Sequence, residues 1–558
     1  MKKIFWFFII VSILLHFYAL TFPLATLEDE SSHIVRGMII LEVLNIVPLW
    51  AWFILTILTI ASLFLLYKLY KKDVNLFIAV LLPLSIAYYY IVCHVASRFL
   101  INQFGSLDII NQLWLIRYGS LSAIVYALQL ILFGYREWGM RLFPVIFSVF
   151  SAVYLYKLIS LYKNENWALF SSISFLFLPG IFYFVNISQL SMGVTLFTIL
   201  SIYFLMRFTL KNEKKDLAYM CLFLILGFQY KEIFLLTYGT IFGYLIYFYL
   251  FIKKKIDYLS IVKYLSLSLI PTLIWLVTQG YFNNSTNFMS SRFLAFNQNL
   301  AHNVFRYITT FPSEATWPIS ILFFIGLPFA LYSIFKKKDE LAVVFMTHFL
   351  IIYSFITFDS LNHYDIVYRY AADLLLSISF LSFFSINLIK RRKLIKLISY
   401  GLIIFLMITS TFLTYHNWEN RFVPMDGTFS YIKENIPESE KILRTMAPNP
   451  YKFYIAKYEI KNEMRHIVWA NVSEQDIASL FAFMEKNNYT YYIFPKPSPS
   501  YHSYWPNDFS WVYTTGLIRE PVLNETLLNN LMINNTYFSV VYNDNLGDNS
   551  LYIIKKAD

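Results

Sequence analysis

Long apolar runs separated by short polar segments dominate the chain from residue 3 to about residue 415. Each run is roughly 18–23 residues long, enough for a helix to cross about 30 Å of hydrocarbon. The pattern predicts thirteen membrane spans, at residues 3–23, 49–67, 74–96, 142–162, 167–187, 190–208, 216–230, 232–252, 258–281, 317–335, 341–358, 371–389 and 395–415. The first run is longer than the core of a signal peptide, so we interpret it as a retained anchor.

The pattern changes after residue 416, where the chain becomes charged and rich in Asn. FSYIKENIP and SEQDIASLFAFMEKNN have apolar residues at helical spacing, and Ser473 is the expected N-cap of the second helix. HIVWANV, TYYIFP, FSVVYND and SLYIIKK carry the aromatic and β-branched residues typical of strands. We therefore predict an all-α polytopic transmembrane domain over residues 1–416 and a small extracytoplasmic α/β domain over residues 417–558.

The composition excludes a soluble protein. Of the 558 residues, 58% are hydrophobic and only 14% are charged, and a soluble domain of this kind would expose most of its apolar side chains. The formal charge of +11 does not indicate nucleic-acid binding, because the basic residues cluster between the apolar runs. These clusters lie at residues 68–72, 211–215, 253–255, 336–338 and 390–393. Their positions predict an N-terminus inside the cell and a C-terminal domain outside.

One further apolar run, at residues 119–133, does not fit this threading as a span. If it crossed the membrane, every later basic cluster would move to the outside, against the positive-inside rule. We therefore interpret this run as a helix that lies in, or dips into, the outer interface of the membrane.

Acidic residues in the predicted external loops are candidates for acid–base chemistry. Glu28, Asp29 and Glu30 follow the first span directly, and on a helix His33 would share a face with Asp29 and Glu30. Such a face could hold a general base oriented by an imidazole. The alternative is that the acids only solvate the flank of a juxtamembrane helix. Asp108 is a second external acid, either a helix cap or a catalytic group.

Cations at the external ends of spans are candidates for binding an anion. Arg369 lies among tyrosines, including Tyr370, at the mouth of a late span, and Asp373 follows it at helical spacing. Arginine can bind a phosphate through two parallel hydrogen bonds. The alternative is an ordinary arginine that extends to the membrane interface, which would have the same sequence pattern. Arg141 and Lys231 also lie where the positive-inside rule disfavours cations. Each is explained either by an anionic ligand or by an ion pair with a neighbouring glutamate.

Four segments carry a family resemblance through their order along the chain. GYREWGMRLFPVIFSVFSAVYLYKL contains a glycine, an acid and an Arg-Leu-Pro interrupted by Phe143; ALFSSISFLFLPGIFYFVNISQLSMGVTLFTILSIYFLMRF forms two spans. LILGFQYKEIFLLTYGTIFGYL contains two spans with a lysine between them. VYRYAADLLLSISFL begins a late span, with Arg-Tyr directly before its apolar residues. Together they resemble the GT-C superfamily of integral-membrane glycosyltransferases, in the branch of protein O-mannosyltransferases and the lipid A aminoarabinose transferase (glycosyltransferase family 39-like).

The resemblance implies a GT-C fold and an inverting hexosyl- or pentosyltransferase. Such an enzyme passes a sugar from a polyprenyl-phosphate carrier to a protein, lipid or glycan acceptor on the extracytoplasmic face. The family base is an acid in the first external loop, which implies Asp29 or Glu30, with His33 in support. An extra pair of spans (49–96) intervenes here; if it precedes the family's first span, Asp108 is the base instead.

The resemblance also implies how the carrier phosphate is held. Arg369, together with Arg141 or Lys231, would stabilise the charge that develops on the departing phosphate. Tyr370 and Asp373 would support these cations.

Several alternatives stay open at this stage. We predict no metal site, because no motif has the spacing of metal ligands, but a requirement for a divalent metal is undecided. The predicted partners are the lipid-linked sugar, the acceptor and membrane lipids, and the predicted location is a bacterial cytoplasmic membrane. A transporter or flippase of lipid-linked saccharides would also have many spans, although it should show broken, charged helices at mid-membrane and a repeated half.

Overall fold

Helices account for most of the described part of the chain. The computed structural model describes residues 2–19, 34–38, 40–41, 120–186, 190–253, 256–283, 315–359, 371–389, 391–418, 425–444, 448–466, 476–496, 529–546 and 549–557, with single residues elsewhere. The helices of its first part are α1 (Lys2–Ala19), α2 (Ser120–Phe133), α3 (Glu137–Ser160), α4 (Glu165–Phe177), α5 (Pro179–Val185), α6 (Ser191–Lys211), α7 (Lys214–Tyr230), α8 (Leu235–Tyr247), α9 (Tyr258–Asn283), α10 (Trp317–Lys337), α11 (Glu340–Asp359), α12 (Ala371–Leu381), α13 (Phe383–Ile386) and α14 (Arg392–Trp418).

These helices lie over eleven of the thirteen predicted spans. The spans predicted at residues 49–67 and 74–96 fall outside the described residues apart from single positions, so the number thirteen stays a prediction. Within the described residues, six helices are long and apolar enough to cross a membrane, and shorter apolar helices accompany them. The protein is therefore an integral, multi-pass membrane protein.

Two predicted spans are broken helices. The span predicted at 167–187 is interrupted at Leu178, whose backbone is extended (ψ 135°), before α5 begins at Pro179. Proline has no backbone N–H and disfavours a helical residue before it, which explains the break. The span predicted at 371–389 is divided at Ser382. The hydroxyl of Ser382 does not cap the next helix but donates to the carbonyl oxygen of Ile378 at 2.6 Å. Such back-bonding by serine often bends a helix.

Helix α6 lies at the centre of the bundle. In its most apolar stretch 83% of the residues are buried inside the protein, and it packs against α3, α7 and α12. By contrast, α10 and α14 expose many large apolar side chains, as helices that face lipid do. Most of α6, from Ser191 to Thr209, therefore lies inside the bundle, where polar groups need partners.

Polar side chains tie the helices together at the end that carries the basic clusters. Lys163 forms an ion pair with Asp339, and the hydroxyls of Tyr162 and Tyr244 both donate to Glu340 Oε2, at 3.2 and 2.8 Å. These residues join the α3–α4 turn, α8 and the start of α11. These contacts hold together the end of the bundle that is predicted to face the cytoplasm. A ligand site is therefore expected at the opposite end.

The described residues between 425 and 557 form a mixed sheet with helices. The elements are α15 (Met425–Asn435), β1 (Ile442–Arg444), α16 (Pro448–Tyr458), β2 (Met464–His466), α17 (Ile477–Lys486), β3 (Tyr491–Lys496), β4 (Phe538–Leu546) and β5 (Asn549–Lys556). The strand order is β2-β1-β3-β5-β4; β1 is parallel to β2 and β3, while β5 is antiparallel to β3 and β4. Three of the predicted strands coincide with β3, β4 and β5, whereas most of HIVWANV lies outside the described residues.

The predicted cap of the second helix in this segment is wrong. Helix α17 begins at Ile477, and its N-cap is Asp476, whose Oδ1 accepts a hydrogen bond from the backbone N–H of Ser479 at 2.7 Å. Aspartate and serine are equally good caps, so the sequence between Ser473 and Asp476 offers two candidates. The one next to the first apolar residue of the buried face is used.

Helix α16 joins the sheet segment to the outer start of α3. Lys457 Nζ donates to Glu137 Oε1 at 2.8 Å and also forms an ion pair with Asp426. The ring of Phe453 packs edge-on against Tyr135, with centroids 5.7 Å apart. Burial alone would lower the pKa of Lys457, but the hydrogen bonds to the two carboxylates outweigh it and raise the pKa. The stabilisation is therefore complete at neutral pH and is lost only as the pH rises past about 10.5.

We expect Lys457→Met to loosen this contact by roughly 1–2 kcal/mol, because it leaves Glu137 half-buried without its cation. The measurement is hydrogen–deuterium exchange of peptides that cover α16 in the purified full-length protein, where exchange should become faster. Lys461→Met is the matched control, since Lys461 pairs with Glu438 at an exposed position of the same segment. Equal exchange in both variants would contradict a docking role for Lys457.

Candidate functional site

Lys231 lies at the end of the bundle opposite the basic clusters, where α7 stops. Its backbone is extended (φ −159°, ψ 138°), and its N–H still donates to the carbonyl oxygen of Gly227 at 3.1 Å. A short 3₁₀ turn, Glu232–Phe234, then leads into α8. The lysine is only 6% exposed. The break between α7 and α8 thus holds a cation inside the protein, and its position at the outer end of the bundle stays a prediction.

Two glycines make room for the chain on either side of Lys231. A Cβ atom at Gly193, on α6, would lie within 2.8 Å of three atoms of the Tyr230 ring. A Cβ at Gly227 would lie within 2.6 Å of three atoms of the Phe234 ring. Real Cβ atoms do not approach other atoms so closely. Both residues must therefore be glycine for the Lys231 segment to pack against α6 and fold back on α7.

Asp373 lies inside the bundle beside α6. It is 5% exposed and belongs to the first turn of α12. Its Oδ1 accepts a hydrogen bond of 2.5 Å from Thr195 Oγ1 on α6. A buried carboxyl group needs such a partner, because an unsatisfied polar group inside the protein is costly. The predicted partner of Asp373, Arg369, lies outside the described residues; the structure gives it Thr195, which is 178 positions away in sequence.

Hydrogen bonds extend from Asp373 to two further helices. His348 Nε2, on α11, lies 3.2 Å from the backbone carbonyl oxygen of Asp373, and its Nδ1 lies 3.1 Å from Thr240 Oγ1 on α8. Thr237, one turn earlier on α8, shares a 2.8 Å hydrogen bond with Thr198 on α6. The four helices α6, α12, α11 and α8 are thereby joined in a closed ring of hydrogen bonds. We call these six side chains, Thr195, Thr198, Thr237, Thr240, His348 and Asp373, the polar ring.

Arg141 is fully buried in the second turn of α3. The backbone just before it is held by Gln129 on α2, whose Nε2 donates to the carbonyl oxygens of Gly139 and Met140 at 3.1 and 3.2 Å. Helix α2 therefore packs on the outer start of α3. The run predicted as an interfacial helix is helical, over Ser120–Phe133; its position relative to the membrane stays a prediction.

Arg36 is a site residue that the sequence analysis missed. It lies in the helical residues 34–38, is 2% exposed, and its Nη1 donates to Ser122 Oγ on α2 at 3.3 Å. It also interacts electrostatically with Tyr230, next to Lys231. The available signal was a single arginine in a predicted external loop, where cations are disfavoured. His348 was missed too, although an ionisable residue in the middle of a span is itself a functional candidate.

The other predicted site residues lie outside the described residues: Asp29, Glu30, His33, Asp108, Arg369 and Tyr370. Their proposed roles stay predictions. Among the described side chains, no group of three or more His, Cys, Asp or Glu residues could hold a metal ion. The requirement for a metal therefore stays undecided.

The described part of the site is suited to an anion. Arg36 hydrogen-bonds to α2, and α2 contacts the backbone next to Arg141. Phe147, on the same helix as Arg141, packs against the ring of Tyr230 beside Lys231, with centroids 5.8 Å apart, so the three cations belong to one region. Buried cations in a poorly solvated environment interact strongly with a negative ligand. The region can therefore stabilise a phosphate, or a group that becomes more negative during a reaction.

Part of the chain matches a known protein family. Residues 121–275 match the family model described as dolichyl-phosphate-mannose-protein mannosyltransferase. This stretch includes Arg141, Gly193, Thr195 and Lys231. No curated protein matches the sequence at a significant level.

The fold of the chain is similar to that of solved structures. ArnT from Cupriavidus metallidurans in the apo state is 10% identical, with a TM-score of 0.51, over 78% of this chain and 88% of that protein. The same ArnT bound to undecaprenyl phosphate is 9% identical, with a TM-score of 0.50 and the same coverage. The archaeal oligosaccharyltransferase AglB from Archaeoglobus fulgidus is more distant (10% identity, TM-score 0.44, 77% and 71% coverage). The matched segment and the ArnT-like fold agree with the resemblance to the GT-C superfamily that the sequence segments carry.

Proposed function

We propose that this protein transfers a sugar from a polyprenyl-phosphate carrier to an acceptor on the extracytoplasmic face of the membrane. The observation that carries the proposal is the buried cationic region of Lys231, Arg141 and Arg36 at the predicted outer end of the bundle. An anionic leaving group at the lipid surface needs such a region. ArnT, whose fold the chain shares, has been crystallised with undecaprenyl phosphate, which supports a lipid carrier of this kind.

The cations would act on the leaving group. When the bond between the anomeric carbon and the carrier phosphate breaks, the phosphate oxygen takes the electron pair and becomes more negative. The phosphodiester of the donor already carries one negative charge, and the departing phosphate gains a second as the bond breaks. Fixed positive charges therefore stabilise the transition state more than the bound donor, and this difference is what accelerates a reaction. Lys231 is the principal candidate because the turn and the two glycines fix its backbone. Arg369 would join it, as the family resemblance implies.

An external carboxylate would activate the acceptor. Asp29 or Glu30, or alternatively Asp108, would take the proton of the acceptor hydroxyl as its oxygen attacks the anomeric carbon. The attack comes from the side opposite the phosphate, so the configuration at that carbon is inverted. The sheet segment, docked on the start of α3 by Lys457 and Glu137, would lie beside the site and help to hold a protein, lipid or glycan acceptor.

The test is donor turnover by the purified protein. Polyprenyl-phosphate sugars, both hexosyl and pentosyl, are supplied with a cell-envelope extract as acceptor, and released polyprenyl phosphate is measured. We expect Asp29→Asn or Glu30→Gln to abolish release, because an amide cannot accept the proton. Asp108→Asn, which makes the same change in another external loop, should spare it.

The opposite pattern of the two acid variants would keep the enzyme and move its base to Asp108. Absence of release with every donor, from protein that unfolds cooperatively on heating, would contradict the transferase. A transporter of lipid-linked saccharides would then be the better explanation, and movement of the intact donor between the leaflets of a vesicle would identify it.

A further inference from the structure

We propose that His16 and Asn186 form a subsite that binds one hydroxyl group of the sugar on the lipid-linked donor. The inference deepens the proposed function and rests on it for the identity of the ligand as a sugar. Sequence patterns singled out neither residue, and His16 lies outside the segment that matches the family model, residues 121–275.

His16 and Asn186 are joined inside the bundle. His16 is in the last turn of α1, and its Nδ1 lies 2.7 Å from Oδ1 of Asn186, the residue that follows α5. Both side chains are fully buried. The imidazole stacks on the ring of Phe182, with centroids 4.2 Å apart and planes inclined by 28°. The plane of the imidazole is thus held by the ring of Phe182, and its Nδ1 by the amide.

The direction of α1 places His16 near the start of α3. At the other end of α1, the ring of Phe5 lies 4.6 Å from the ring of Tyr156, which is close to the C-terminal end of α3. Helix α1 therefore runs antiparallel to α3. Its last turn lies towards the first turns of α3, which carry Arg141.

Asn186 leads into the same region along the chain. Helix α6 begins shortly after it, and Gly193 in the first turn of α6 lies against the ring of Tyr230, next to Lys231. The pair of His16 and Asn186 therefore lies at the end of the bundle that holds the cations. A donor whose phosphate binds to these cations also has its sugar at this end.

The remaining polar atoms of the pair are one acceptor and one donor. An amide oxygen can only accept, so His16 Nδ1 donates to it, and Nε2 of the neutral imidazole is an acceptor. A charged imidazole would be a buried cation without a counterion, which is costly. Asn186 Nδ2 is a donor. Rotation of the amide by half a turn exchanges these roles and again leaves one acceptor and one donor.

These atoms have no hydrogen-bond partner within the described structure. The same is true of Ser12 Oγ, one turn before His16 on the buried side of α1. Polar groups inside a protein are normally paired, and apolar side chains of similar size would stabilise the bundle better here. Unpartnered groups at this end of the bundle therefore indicate a ligand.

A hydroxyl group is the ligand that an adjacent acceptor and donor complement. It donates one hydrogen bond, here to His16 Nε2, and accepts another, here from Asn186 Nδ2. A phosphate ester anion has no proton for the acceptor, so it fits the cations and not this pair. The protein encloses the pair, which strengthens hydrogen bonds formed there and makes an unpartnered atom more costly.

Thermal unfolding of the full-length chain distinguishes a ligand site from a structural bond. The double variant His16→Phe/Asn186→Leu replaces both polar groups by apolar ones of similar size, so it should unfold at the wild-type temperature or above it. Each single variant leaves its partner unsatisfied and should unfold at a lower temperature. A double variant that unfolds well below the wild type would show that the pair serves only to hold α1 on α5, and would overturn the subsite.

Selectivity for a hydroxyl group is the decisive measurement. Polyprenyl-phosphate hexoses and their monodeoxy analogues are compared by kcat/KM for release of polyprenyl phosphate. We expect the wild type to use one deoxy analogue about 10- to 100-fold less well than its parent sugar, because the pair then lacks its ligand. The double variant should use the two donors equally. Unchanged selectivity in the double variant would mean that the pair holds a buried water only, and would overturn the subsite.

Asn462→Leu is the matched control. Asn462 Nδ2 already donates to the carbonyl oxygens of Pro437 and Glu440, at 2.7 and 3.1 Å, in the sheet segment. This variant should therefore unfold at a lower temperature and still discriminate between the donors as the wild type does. Loss of selectivity in Asn462→Leu as well would show that any loss of stability removes it, and would contradict a specific role for Asn186.

Ligand-induced thermal shifts separate this inference from the proposed function. Bare polyprenyl phosphate and polyprenyl-phosphate sugars are compared without turnover. If the wild type releases no carrier from any donor, the transferase is wrong, yet a larger shift with the sugar that disappears in the double variant would still support the subsite. Equal shifts with and without the sugar would overturn it. If the wild type turns over donor and the double variant keeps its selectivity, the transferase stands and the subsite is wrong.

Discussion

Lys231→Met should lower the turnover of a polyprenyl-phosphate sugar by about 10²- to 10³-fold, the loss typical when one preorganised donor to a developing negative charge is removed. Methionine keeps the length and the apolar stem of the side chain, so the change is mainly one of charge. The measurement is release of polyprenyl phosphate under single-turnover conditions, which isolates the chemical step. Lys231→Arg, which keeps the charge with a different shape, should retain more activity than Lys231→Met.

The control for this variant is Lys337→Met. Lys337 is exposed at the C-terminal end of α10, in the basic cluster at residues 336–338. Its substitution therefore removes the same charge at the end of the bundle away from the site. Similar losses in both variants would mean that the net charge, and not the location of Lys231, matters. Normal turnover by Lys231→Met would remove the observation on which the proposed function rests.

Gly193→Ala should destabilise the protein by about 1–3 kcal/mol, the usual result of adding a methyl group to a packed core. The added Cβ would overlap the ring of Tyr230, which is itself 2% exposed. That ring is enclosed by Phe147 and Phe197, with centroid distances of 5.8 Å to each. Because Tyr230 cannot withdraw without displacing Lys231, turnover should fall together with stability.

Gly401→Ala is the matched control for this substitution. Gly401 is also in a helix, α14, and a Cβ there would meet nothing within 4 Å. Alanine has the higher helix propensity, so this variant should be stabilised by up to about 1 kcal/mol. Thermal unfolding of the purified variants measures both effects. A Gly193→Ala variant as stable as Gly401→Ala would show that the Tyr230 ring is free to move, which would weaken the account of how Lys231 is held.

The positions of the membrane helices could be predicted from the sequence because their cause is local. Backbone polar groups in lipid must be satisfied within the segment, so a long apolar run has to be a helix. The break before Pro179 also has a local cause, because proline interrupts a helix, although the sequence analysis predicted one continuous span over residues 167–187. The break at Ser382 has no such local signal, because serine in an apolar run is common and its hydrogen bond to Ile378 appears only in the folded helix.

The site residues also fall into two groups, those that the sequence indicated and those that only the structure shows. Lys231, Arg141 and Asp373 were predicted because each charge is costly in its position along one apolar run, which is visible without any partner. Their neighbours were not predicted. Arg36 and Ser122 are 86 positions apart, and Thr195 and Asp373 are 178 apart, and no periodicity relates residues at such separations.

The sequence by itself therefore determined that this is a polytopic membrane protein, where most of its helices lie and which charges need an explanation. Only the tertiary structure decided that Thr195 hydrogen-bonds to the carboxyl group of Asp373, that His348 contacts its backbone carbonyl oxygen, and that Gly193 lies against the ring of Tyr230. The reason is physical: helix formation in lipid is determined by each segment alone, whereas the partner of a buried charge depends on which helices pack together.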